Sequence, residues 1–160
     1  MDLSQIKAVV SDVDGVLTDG RIGLGPGSEA IRFFDMRDGM GTKLLQHAGV
    51  PVAWLSASQD DGVIRRRADM LGIEHVDVGS GDKGERLTAL CAQMGIEPAD
   101  VLFVGDDVND LPAMALAGAS ACPMDARPEV VDSVDIVLGS PGGRGAFREL
   151  ADMILAERDS

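Results

Sequence analysis

The stretch "VVSDVDGVLTDG", residues 9–20, runs from apolar, β-branched residues into Asp12 and Asp14, one residue apart, with Gly15 directly behind. An apolar strand that ends in two like charges sets the question for the rest of the chain. Either the aspartates are turn and cap residues, or they are gathered for chemistry.

Working outward, short apolar runs alternate with longer stretches of helical period. "KAVVSD" is followed by "GTKLLQHAG", "VPVAWLS", "DGVIRRRADMLG", "HVDVG", "KGERLTALCAQMG", "VLFVGD", "LPAMALAG", "ASACP", "RPEVVDS", "DIVLG" and "GAFRELADMILAER". Strand and helix in this rhythm predict an α/β fold, a doubly wound parallel sheet with helices on both faces. Gly49, Gly72, Gly95 and Gly118 stand where four of the helices would close through a left-handed residue. Residues 20–35, "GRIGLGPGSEAIRFFD", break the rhythm and read as two short strands around a Gly-Pro-Gly turn, a β-hairpin inserted after the first strand. Residues 139–160 form a C-terminal tail and helix. With 160 residues and no linker or repeat, one domain over 1–160 is expected.

Composition narrows the function. Fourteen basic against 27 acidic residues leave a formal charge of −13, which disfavours nucleic acid and anionic membranes as partners. The N-terminus lacks the features of a signal peptide and no apolar run is long enough for a membrane span, so a cytoplasmic protein is expected. Cys91 and Cys122 read as reduced and structural. Trp54 and the eight methionines are expected in the core, and Arg65, Arg66 and Arg67 on a solvated helix face.

In an open parallel sheet the ligand site lies beyond the carboxyl ends of the strands. The first strand delivers Asp12 and Asp14, the next delivers Ser56, and "VLFVGDDVND" delivers Asp106, Asp107, Asn109 and Asp110. Lys83 begins the helix between them. Strand alternation would send Asp12 and Asp14 to the same side. Carboxylates gathered this closely repel and need a cation, and a hard oxygen-liganded ion such as Mg²⁺ fits a set without cysteine or histidine. One aspartate can then act as nucleophile while its neighbour serves as acid and base, with lysine and hydroxyl completing a phosphate cradle. Taken singly these residues are ordinary caps and turns; their conjunction in order points to metal-assisted phosphoryl transfer.

"DVDGVLTDG", Ser56, Lys83 and "GDDVND" resemble the four ordered motifs of the haloacid dehalogenase superfamily. "FFDMRDGMG", "CPMDARPEV" and "GGRGAFRE" extend the resemblance to its cap-less sugar-acid phosphatases, so nearly the whole length is matched. The resemblance implies a Rossmann-like fold and hydrolysis of a phosphorylated sugar acid, an octulosonate 8-phosphate or a nonulosonate 9-phosphate. It implies Asp12 as nucleophile, Asp14 as general acid and base, and Ser56 and Lys83 as phosphate contacts. Mg²⁺ would be held by Asp12, the Asp14 carbonyl and Asp106, with Asp107, Asn109 and Asp110 behind them.

Between Ser56 and Lys83 there is room for one helix and one strand, but not for a lid. In the resembled family neighbouring subunits serve instead. That implies a homotetramer built on the hairpin through Ile22, Leu24, Ile31 and Phe33, with Arg144 or Arg148 of the tail reaching an anionic substrate. Arg67 matches a family arginine near the substrate. One departure stands out: "SASQDD" puts Ser58 at a substrate-facing position where the octulosonate enzymes usually carry an arginine. A second reading is an oligomerising module associated with a sugar-acid nucleotidyltransferase; the intact Asp12 and Asp14 favour the enzyme.

Overall fold

Alternate side chains of the first strand, β1 (Ala8–Ser11), enter two different apolar clusters, Val9 one and Ala8 and Val10 the other. A strand so placed is covered on both faces, as the unbroken apolar run requires. The protein is described here by a computed structural model covering residues 2–27 and 29–160; Met1 and Ser28 lie outside the described residues.

β1 is joined by β2 (Val52–Ser56), β3 (His75–Val78), β4 (Val101–Val104), β5 (Ala119–Cys122) and β6 (Ile136–Val137). All neighbours pair in parallel, in the order β3-β2-β1-β4-β5-β6. The helices are α1 (Met36–His47), α2 (Gly62–Leu71), α3 (Lys83–Met94), α4 (Leu111–Leu116), α5 (Pro128–Val131) and α6 (Ala146–Arg158). One face packs Leu45 of α1, Ile64 of α2 and Phe147, Leu150 and Ile154 of α6 against Val9, Trp54 and Leu102. The other packs Leu87 and Leu90 of α3, Met114 of α4 and Val130 of α5 against Val10, Leu55 and Phe103. Each large side chain so buried contributes about 1.5–3 kcal/mol. The expected doubly wound α/β sheet is therefore the one the chain forms.

Four expectations need correction. The segment 20–35 turns back on itself but forms no two-stranded hairpin among the described residues: one antiparallel bridge joins Gly23 and Ile31, through N–H···O bonds of 3.0 and 2.8 Å. Its glycines and proline offer few side chains to pair, so the ladder does not propagate. Gly49, Gly72 and Gly95 are left-handed as expected, but Gly118 is not. α4 ends before it, and the glycine is required for space, since a Cβ there would stand 2.0 Å from the Ala99 carbonyl oxygen.

The methionines are mostly not core: Met36, Met40, Met70 and Met124 are exposed, whereas Trp54 and Met114 are buried. Both cysteines are free and buried. The fourth correction, how Asp14 reaches the site, belongs to the site itself.

Candidate active site

The β1 ladder continues one residue past the strand, where the Asp12 N–H donates to the Val104 carbonyl at 2.9 Å. Its carboxylate therefore emerges in the crevice between β1 and β4, the point at which strand order reverses. Asp14 arrives differently. It sits in a tight turn in which the N–H groups of Val16, Leu17 and Thr18 all point to the Val13 carbonyl, so a turn, and not strand alternation, brings it beside Asp12.

Gly15 makes this turn possible. Its φ is +94°, and a Cβ would lie 2.0 Å from Asp106 Oδ2. The turn is also backed by the tail. Gly143 N–H donates to the Val16 carbonyl at 2.8 Å, and a Cβ on Gly142 would collide with the Gly15 carbonyl oxygen. Gly142 and Gly143 of "GGRG" thus serve close approach to the Asp14 turn of their own chain.

Lys83 opens α3, which Asp82 caps by accepting the Glu85 N–H at 2.9 Å. Its buried Nζ stands 3.0 Å from Asp12 Oδ1 and 2.5 Å from Asp110 Oδ1. The other Asp110 oxygen accepts the Asp106 and Asp107 N–H groups at 2.9 and 3.2 Å. Asp110 is therefore fully engaged in orienting Lys83 and the Asp106 loop.

A cleft of about 280 Å³ opens over this group. Asp12, Asp14, Ser56 and Lys83 line it, with Asp106, Asp107 and Asn109 on the β4 side and Ser58 on the β2 side. Three predicted substrate residues are not brought there. Arg67 packs its guanidinium 5.7 Å from the Phe34 ring centroid. Arg144 and Arg148 line a separate groove at the start of α6, where Arg148 Nε pairs with Asp152 at 2.8 Å. Neither lines the cleft of its own chain.

Burial pushes Asp12 well above the ordinary carboxylate range, the Asp110 charge adds to this, and Lys83 offsets it only in part. Burial likewise pushes Asp106 up to about 6. Burial opposes the Lys83 ammonium, yet the charges of Asp12 and Asp110 outweigh it and raise its pKa. Oxygens of Asp12, Asp106 and Asp110 lie within 4.8 Å of one another, and buried Asp106 Oδ1 has no hydrogen-bond partner. An unpartnered buried carboxylate oxygen in a cluster of raised carboxylates is what a hard divalent cation relieves, so the donor set fits Mg²⁺.

Three site residues escaped the sequence reading. Arg32, from the segment read as a hairpin, reaches Asp14; Thr18 Oγ1 donates to Asp14 Oδ1 at 3.0 Å; and Arg86 Nη2 holds the Ser56 carbonyl at 2.8 Å. For Arg32 a signal existed. In "AIRFF" Ala30, Arg32 and Phe34 alternate with Ile31 and Phe33, placing a charge on the inward register.

The site and sheet together define a hydrolase class, and comparison with known proteins agrees. The haloacid dehalogenase-like hydrolase family model matches residues 35–118, and the chain belongs to that family. Within it the chain is a phosphoric monoester hydrolase with Mg²⁺ as cofactor. It is 44% identical over 153 residues to the 3-deoxy-D-manno-octulosonate 8-phosphate phosphatase KdsC of Haemophilus influenzae, covering 96% of this chain and 84% of that protein. The cobalt-bound structure of the H. influenzae phosphatase superposes with a TM-score of 0.95 at 43% identity, covering 99% of this chain and 92% of the other. The Moraxella catarrhalis phosphatase, solved with magnesium, phosphate and KDO, superposes with a TM-score of 0.94 at 31% identity, over 99% and 90% of the chains.

Proposed function

We propose that this protein hydrolyses 3-deoxy-octulosonate 8-phosphate through an aspartyl-phosphate on Asp12. The observation that carries the reading is the Asp12 carboxylate held at 3.0 Å by buried Lys83 in a cleft shared with Asp14, Ser56 and Asp106. The similarity to octulosonate 8-phosphate phosphatases of H. influenzae and M. catarrhalis supports the substrate.

Asp12 attacks phosphorus in line and the P–O bond to the sugar breaks; the departing alkoxide takes a proton from Asp14. Asp14 then accepts a proton from the water that attacks the phosphoaspartate, releasing phosphate and restoring Asp12. Lys83 and Ser56 hold the phosphoryl oxygens as charge builds on them. Asp12, Asp106 and the Asp14 carbonyl would hold Mg²⁺, which when bound neutralises the nucleophile and the incoming phosphate.

The loops that follow β1 and β2 contain no added helix or sheet among the described residues, so the cleft has no lid of its own. We assign that role to neighbouring copies in a homotetramer. Ile22, Leu24, Ile31 and Phe33 are between 49% and 87% exposed, and an apolar patch of that kind asks for a partner. Arg144 and Arg148, which do not line their own cleft, would serve that of a neighbour.

The test is phosphate release with Mg²⁺ from octulosonate 8-phosphate, nonulosonate 9-phosphates and other sugar phosphates, with Asp12→Asn as blank. A preference for the octulosonate ester of about 100-fold in kcat/KM, or about 2.7 kcal/mol of transition-state discrimination, is expected. A nonulosonate preference would move the substrate. Flat, weak activity would favour the oligomerising module beside a nucleotidyltransferase.

A further inference from the structure

Two cations serve the catalytic carboxylates, and they divide the work. Lys83 is committed to Asp12 and Asp110. Asp14 has its own partner, Arg32, whose side chain is wholly withdrawn from water. Arg32 Nε donates to both Asp14 oxygens, at 2.9 and 3.1 Å, and Nη2 donates to Ser58 Oγ at 2.8 Å. The third nitrogen, Nη1, is buried without a hydrogen bond, 3.9 Å from Asp60. One guanidinium thus ties together the catalytic turn, the returning arm of the 20–35 segment and the loop after β2.

We propose that Arg32 is the positioning residue for Asp14, fixing the carboxylate that exchanges protons with the leaving group; this rests on the reaction assigned above. One N–H shared by both oxygens of a carboxylate and a second donor of the same planar guanidinium on a hydroxyl together define a plane and a direction, which a single contact cannot. The loop at 56–61 is arranged for it: Ser58 Oγ accepts from Arg32 and in turn donates to the Asp60 carbonyl at 2.9 Å, while an Asp60 carboxylate oxygen accepts the Ala30 N–H at 2.7 Å. Ser58 is small enough to leave room for a guanidinium arriving from residue 32. The departure from the arginine pattern at 58 and the inward charge at 32 are then two halves of one arrangement.

Proton donation matters only when the leaving group needs a proton. An alkyl phosphate releases a strongly basic alkoxide, whereas p-nitrophenyl phosphate releases a phenolate that departs unaided. The experiment compares kcat/KM for these two ester types in Arg32→Ala, Arg32→Lys and Ser58→Ala, using an uncharged sugar phosphate as the alkyl ester so that no substrate carboxylate enters. kcat/KM reports steps up to leaving-group departure, so the later hydrolysis of the phosphoaspartate does not mask the effect.

We expect Arg32→Ala to lose about 100-fold on the alkyl ester and less than about threefold on the aryl ester. Arg32→Lys should recover part of the loss, and Ser58→Ala should show the same selectivity at smaller size. An equal loss on both esters, with or without a drop in melting temperature, would overturn the assignment, as would a change confined to KM. Wild-type protein inactive on both esters and on the sugar-acid phosphates would instead remove the reaction itself.

Discussion

Lys83 and Asp110 form a buried ion pair, Nζ to Oδ1 at 2.5 Å, at the base of the cleft. A Cβ on Gly105 would lie 2.5 Å from the Asp110 carboxyl carbon, so the loop after β4 is wrapped tightly around this carboxylate. Removing one partner of such a pair strands a charge away from water. Asp110→Ala is expected to lower unfolding free energy by about 3–5 kcal/mol in urea titration. A loss under about 1 kcal/mol would show that Asp12 alone suffices to pair Lys83.

The two aspartates of the opening stretch should separate kinetically. Asp12→Asn is expected to cost at least about 10³-fold in kcat while leaving the melting temperature in place. Asp14→Asn, offered p-nitrophenyl phosphate, should accumulate phosphorylated protein visible in the intact mass, because the water attack lacks its base. If Asp14→Asn never carries phosphate, the covalent route fails.

Metal removal tests the Asp106 site. Chelation should abolish phosphate release and Mg²⁺ should restore it. Mg²⁺ at about 100 times its Kd should stabilise the wild-type fold by about 2.7 kcal/mol. In Asp106→Asn that stabilisation should largely vanish; an unchanged response would place the ion elsewhere.

Asp38, on α1, accepts the Arg148 N–H at 2.9 Å and the Gly145 N–H at 3.3 Å, closing the start of α6. Burial pushes its carboxyl up to about 6, against the pull of those two N–H groups. The folded chain therefore binds a proton more tightly than the unfolded one, and this contribution to stability is present at low pH and lost as pH rises from about 4 to about 6. The urea midpoint of wild type, relative to Asp38→Asn, should fall across that window and stay level above it. A gap that is constant from pH 4 to 7 would contradict the shift.

The exposed apolar residues of segment 20–35 should report assembly. Leu24→Glu combined with Phe33→Glu is expected to convert a tetramer into smaller species in light scattering at micromolar concentration. A wild-type monomer under those conditions would remove the proposed interface.

Much of this was legible in the chain itself. Runs such as "VLFV" are apolar at every position because both faces of β4 are covered, and that pattern survives translation into one dimension. The carboxylate set was legible for a similar reason: ligands at strand ends follow chain direction, so "SDVD" and "VGDD" declare their meeting place once the sheet is parallel. The sequence alone therefore determined the sheet class, the edge that carries chemistry, and Asp12, Ser56, Lys83 and Asp106 upon it.

What depended on distant packing did not show. Residues 20–35 have the glycines and proline of a hairpin, and only the folded chain reveals that among the described residues they form a single bridge. Within "GGRG", Gly142 and Gly143 are spent on contact with the turn at Gly15 and Thr18, more than a hundred residues away in sequence. Arg32 is the sharpest case. Its partner Asp14 is set by how a loop folds back over the sheet edge, a relation between segments that no local propensity encodes, and only the tertiary structure could decide it.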